Sequence, residues 1–148
     1  MPYIVPALTV LASFAGAWLA AHFALRRFYQ ERIWERKAAA YTTVFEALYE
    51  ISRWFGEHHN ALENRQELDS DYQEEMSLSY QEAMRTLGRR VSGEAWLLPD
   101  EFTAILDEMQ KDLQLNVYDW HRHIETGVIA TTKARAHLLP IGRRELKM

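Results

Sequence analysis

The sequence predicts an all-α protein: an N-terminal transmembrane helix followed by an antiparallel up-down four-helix bundle. Three observations carry this prediction. Residues 1–25 hold no Asp, Glu, Lys or Arg, although the 148-residue chain has 17 basic and 21 acidic side chains. Beyond them, apolar residues recur every three or four positions in four successive stretches. Only 6 Gly and 4 Pro are present, and no stretch alternates long enough to suggest a strand.

The uncharged stretch Tyr3 to Leu25 would span roughly 34 Å as a helix, against a hydrocarbon core of about 30 Å. Pro2 and Pro6 precede it or sit in its first turn, where a missing amide hydrogen costs least. Residues 1–27 are therefore expected to be a transmembrane anchor and residues 28–148 a cytoplasmic helical bundle. A cleaved signal peptide fits less well, because Met1-Pro2-Tyr3 carries no basic side chain. Arg26, Arg27, Arg32, Arg36 and Lys37 follow the apolar run, which by the positive-inside rule puts the N-terminus outside and the bundle inside.

The first bundle helix is expected to reach about Asn60, with Ile33, Ala40, Val44, Ala47, Ile51 and Phe55 as its stripe, widened by Trp34, Tyr41, Phe45 and Leu48. The second carries Leu68, Tyr72, Met76, Tyr80, Ala83, Leu87 and Val91, with Asp69 or Ser70 as cap and Gly88 and Gly93 near its end. The third starts at Pro99-Asp100-Glu101 and carries Phe102, Ile105, Met109, Leu113, Val117, Trp120 and Ile124, with Gly127 as its stop. The fourth covers about 129–146 with Ala130, Ala134, His137, Leu138 and Ile141, and Pro140 is expected to kink or interrupt it.

Short connections make consecutive helices antiparallel, so charge acquires a polarity. Residues 26–37 carry 5 basic and 2 acidic groups, whereas residues 38–87 carry 3 and 10, and residues 94–126 carry 2 and 8. Arg26, Arg27, Arg32, Arg36, Lys37, Arg89, Arg90, Arg143 and Arg144 would then gather at the membrane-proximal pole, as a collar against anionic headgroups. The plainer alternative is the ordinary preference of helix ends for charge plus the topology signal.

Ala12, Gly16, Ala20 and Ala24 recur every four residues, a spacing that lets two membrane helices approach closely. At the opposite pole, His58, His59, His121 and His123 are the candidate metal ligands; neither His-Glu-x-x-His nor Glu-x-x-His occurs, so no metal is expected and solvated helix-end histidines are the simpler reading. The chain has no cysteine, phosphate loop, nucleophile elbow or dinucleotide fingerprint, so neither enzymatic activity nor a cofactor is expected. A net charge of -4 argues against nucleic acid as a partner.

Trp34-Glu35-Arg36-Lys37-Ala38-Ala39-Ala40-Tyr41, followed by Phe45-Glu46-Ala47-Leu48 and later by Ser92-Gly93-Glu94-Ala95-Trp96-Leu97-Leu98, resembles a pattern in small bacterial single-pass membrane-anchored helical proteins without an assigned activity. The resemblance implies a bacterial inner-membrane protein and brings no catalytic residue. Together these readings lead to the expectation of a non-enzymatic, membrane-anchored oligomerisation module. Its partners would be the lipid bilayer, further copies of itself and a cytoplasmic protein. The alternative is a defence or stress effector that oligomerises and perturbs the bilayer.

Overall fold

The computed structural model describes residues 4–115 and 117–147, with side chains from Phe14 onward, Ala15 apart. The described residues form helices α1 (Ile4–Asn64), α2 (Ser70–Gly93), α3 (Asp100–Leu113) and α4 (Trp120–Leu146), with a short 3-10 turn at Ala95–Leu97 and no strand. The chain divides into two compact units, residues 1–36 and 37–148.

In the first unit every described side chain is exposed, including Phe14, Trp18, Phe23, Phe28, Tyr29, Ile33 and Trp34. Among the described residues no helix is long and apolar enough to cross a membrane. That finding overturns the transmembrane anchor expected at 1–27, and with it the single-pass inner-membrane location and outside N-terminus. The described apolar side chains run only from Phe14 to Leu25, roughly 18 Å of helix, before Arg26 and Arg27 introduce charge. Tyr3 lies outside the described residues and Ala12 outside the described side chains.

The second unit is a helical bundle built on the predicted stripes. Ala40, Val44, Ala47, Leu48, Ile51 and Phe55 of α1 are buried, as are Ala83 and Leu87 of α2, Phe102, Leu106, Met109 and Leu113 of α3, and Ile124, Ala130, Ala134, Leu138 and Ile141 of α4. Cross-helix contacts give the directions. Trp54 of α1 stacks on Tyr80 of α2 with ring centroids 4.7 Å apart. Phe55 faces Gly127 and Tyr41 faces Gly142, so α4 runs antiparallel to α1. Lys133 pairs with Glu108, and Arg144 with Glu101, so α3 and α4 are also antiparallel.

Caps define the helix ends. Asp69 accepts hydrogen bonds from the amides of Asp71 at 3.1 Å and Tyr72 at 3.3 Å, which starts α2. α1 closes in a Schellman turn: Gln66 N–H donates to Ala61 O at 3.0 Å and Arg65 N–H to Leu62 O at 3.3 Å, with Arg65 in the left-handed region at φ 51°.

Three boundaries differ from the sequence reading. α3 stops at Leu113, and the residues expected to extend it to Ile124 belong partly to a connection and partly to α4. Asp119 starts the new helix, accepting from the Arg122 amide at 3.2 Å. Gly127 is a packing residue inside α4 and not a stop: a Cβ there would collide with the Phe55 ring. Pro140 lies inside α4 without ending it. A proline lacks only its own amide donor and presses on the carbonyl four residues back, losses that the packed Leu138 and Ile141 on either side offset.

Candidate functional site

A large recess lies between α1 and α4. It has a volume of about 770 Å³ and is walled by Tyr41, Thr42, Phe45, Glu46, Tyr49 and Glu50 on α1 and by Leu139, Gly142, Arg143 and Leu146 on α4. Helical spacing explains the α1 wall, since residues 42, 45, 46 and 49 share a face. Gly142 makes the floor. A Cβ there would come within 3.1 Å of the Phe45 ring, a tight contact that glycine avoids at this level.

The last turn of α4 is held in place by charge. Lys37 Nζ donates to Glu145 Oε2 at 2.5 Å, and Arg144 donates to Glu101 of α3. The Lys37 contact holds the Glu145 carboxyl below its ordinary value, and the Glu101 contact raises the Arg144 guanidinium. Three consecutive residues on a helix point about 100° apart. With Arg144 directed to α3 and Glu145 to α1, Arg143 is left exposed on the recess wall, and it makes no ion pair among the described residues. Glu46, across on α1, is likewise exposed and unpaired among them. Glu50 pairs with Arg53 at 2.9 Å.

Tyr41 sits beneath the recess. It is 1% exposed, packs edge-on against Phe102 at 4.9 Å, and its hydroxyl finds no hydrogen-bond partner. Burial, reinforced by the negative charge of Glu145, pushes its pKa up to about 12. The hydroxyl therefore stays protonated at any ordinary pH and cannot serve as a base. The recess offers an apolar, aromatic lining with one cation and two carboxylates at its rim. This is the chemistry of binding an apolar surface.

A second recess of about 340 Å³ lies between α1 and α2, where Glu46, Glu50 and Glu82 stand beside Thr43, Ser79 and Thr86. Ala47 and Ala83 also line it, and it shares Glu46 and Glu50 with the aromatic recess.

The basic residues singled out in the sequence fall into two groups. Arg26, Arg27, Arg32 and Arg36 belong to the first unit, where Arg27 pairs with Glu31 at 2.9 Å and Arg32 lies 5.4 Å from the Phe28 ring centroid. Lys37, Arg89, Arg90, Arg143 and Arg144 belong to the second unit. There Lys37, Arg90 and Arg144 pair with Glu145, Glu94 and Glu101, while Arg89 and Arg143 are exposed. Gly16, Ala20 and Ala24 are exposed, and a Cβ on Gly16 would meet nothing within 4 Å.

The histidines do not converge on a metal. His58 is buried, donates from Nδ1 to the Trp54 carbonyl at 2.8 Å and lies 4.2 Å from the Trp54 ring centroid. His123 packs against Phe55 at 5.5 Å and donates to the Leu115 carbonyl at 3.3 Å. His59 is 3.8 Å from Glu63, and His121 is exposed. Among the described residues no three His, Asp or Glu side chains lie close enough together to hold a metal ion.

Sequence reasoning missed the recess. Its walls come from segments nearly a hundred residues apart, and its floor is a glycine that looks unremarkable in sequence. Compared with known families, curated proteins and solved structures, the chain matches none.

Proposed function

We propose that this chain is a non-enzymatic helical interaction module that associates with copies of itself and presents an acidic bundle to a protein partner. One observation carries the reading: the first unit exposes Phe14, Trp18, Leu19, Phe23, Leu25, Phe28, Tyr29, Ile33 and Trp34 on a single helical stretch. Contiguous exposed apolar area of this kind is unfavourable in water, and association removes it. The exposed small residues Gly16, Ala20 and Ala24 add a face on which a second helix can approach closely. The bundle supplies a second, different surface, richest in carboxylates on α3, where Asp100, Glu101, Asp107, Glu108 and Asp112 stand against Lys111 alone.

Sedimentation equilibrium of the purified full chain tests the self-association. The expected result is a mass that rises with concentration, and a smaller rise for G16L/A20L, whose bulk holds a second helix away. A monomer mass at every concentration would end the reading.

A further inference from the structure

The recess between α1 and α4 has the features of one half of a symmetric interface. It combines a hole with a knob. Tyr49 and Leu139 line it and still stand 56% and 39% exposed, so the recess is open to a second surface. The two walls also carry opposite charge: Glu46 on α1, and Arg143 on α4, each without an ion partner among the described residues. The neighbouring charges of the last turn of α4 are already used within the chain, in Lys37–Glu145 and Arg144–Glu101.

A two-fold axis brings the same patch of both subunits together, so that residue i meets j and j meets i. Only a self-complementary patch can do this. We infer that the recess is a dimer interface between two copies of this chain, in which Tyr49 of each copy enters the partner copy's recess and Glu46 of each faces Arg143 of the other. Tyrosine suits the role, because a large ring with a polar tip contributes strongly when a partner pocket desolvates it. The Glu46–Arg143 pairs fix the register and exclude displaced arrangements, which would bring like charges together. The inference rests on the self-association proposed above and gives it a surface on the bundle, distinct from the exposed helix of the first unit.

Charge reversal and cysteine cross-linking on the full chain test this together. R143E and E46R should each weaken association about tenfold or more, and the swapped pair E46R/R143E should recover it to within a few-fold. Both side chains are exposed, so the unfolding midpoint of each variant should stay near that of the parent. The chain has no cysteine, so single engineered thiols report cleanly. Y49C mixed with L139C should give a cross-linked heterodimer on mild oxidation, while L78C, exposed on α2, should give none with either. Association that survives R143E and E46R unchanged, with no Y49C–L139C product, overturns the interface while leaving self-association standing. A full chain that is monomeric at all concentrations overturns both. A saturable small apolar probe that binds the recess of a monomer would identify the site as a ligand pocket and refute the dimer.

Discussion

Phe23 and Phe102 are the same side chain on the same kind of backbone, yet one is exposed in the first unit and the other is sealed between α1 and α3 in the second. Both units carry large apolar residues, and the first is no poorer in them. What separates them is neighbours: the second unit has four helices to bury its stripes against one another, while the described part of the first is one helix. A helix gains little from its own apolar side chains, since its stability in proteins comes chiefly from packing an apolar face on another element. The contrast shows that composition alone does not assign a residue to a core, and it divides the molecule into a part that buries its apolar side chains and a part whose described ones are exposed.

The strongest way to break that division is to truncate matched rings. Phe102→Ala should cost about 3–5 kcal/mol, because it removes a fully buried ring and leaves a cavity among Tyr41, Phe45 and Leu106. Phe23→Ala should cost less than about 0.5 kcal/mol at concentrations where the chain is monomeric. Urea unfolding followed by tryptophan fluorescence measures both. Equal effects would mean that Phe23 is packed in the monomer and that the two units are not energetically distinct.

Glycine sharpens the same comparison at a smaller scale. Gly127→Ala places a methyl group against the Phe55 ring and should cost about 1–3 kcal/mol as overpacking, less a helix-propensity gain of up to about 1 kcal/mol. Gly16→Ala meets nothing and should show the propensity gain alone. The combination Phe55→Leu with Gly127→Ala should recover part of the loss, since the smaller side chain leaves room. If Gly127→Ala is neutral, α4 shifts freely against α1, and the close approach at this level is not a constraint.

How much of this was readable in advance follows from which signals are local. The stripes of the bundle helices were legible because a 3.6-residue period depends only on near neighbours: all the buried residues of α1 except His58 lay on its predicted stripe, whereas in α4 Gly127, Thr131 and Gly142 are buried off the predicted stripe and His137 on it is exposed. The break after Leu113 was not legible, because Val117, Trp120 and Ile124 keep the helical period across it. A signal did exist in Asp119, a capping residue directly before Trp120, but Gly127 resembled a terminator and competed with it. Nothing short of the fold shows that Phe55 needs a glycine opposite. The aromatic recess was invisible for a similar reason: it needs Glu101, Lys37 and the end of α4 brought together before Arg143 has a direction. The transmembrane reading drew on an uncharged run that includes residues outside the described side chains, and the described part is too short to carry it.

Alkaline titration probes the sealed side of the comparison. The Tyr41 value of about 12 lies above the ordinary 10.0, so the native state holds its proton more tightly than the unfolded chain does. The corresponding stability is complete below pH 10 and is lost as pH rises from 10 towards 12, a fall on the order of 2 kcal/mol. Tyr80, raised by burial, adds in the same direction. Tyr41→Phe should remove the Tyr41 share of the fall. At neutral pH the variant should be about as stable as the parent, because the lost hydroxyl has no hydrogen-bond partner. A parent whose stability is flat from pH 9 to 12 would show that this hydroxyl reaches water in the folded protein.

The acid side tests the charges that orient α4, with the smallest expected effect. Lys37 depresses the Glu145 carboxyl below its ordinary 4.5, so the native state releases that proton more readily than the unfolded chain. The contribution is present above pH 4.5 and disappears as pH falls through the lower native value. The pair is partly exposed and solvent screens it, so Lys37→Met should cost about 1 kcal/mol or less near neutrality. The difference from the parent should vanish once Glu145 is protonated in both. Because Glu145 and Arg144 together leave Arg143 facing the recess, Lys37→Met should also weaken association modestly while barely moving the unfolding midpoint. A change in association without a change in stability would tie the last turn of α4 to the interface; a change in stability alone would leave Lys37 with a purely structural role.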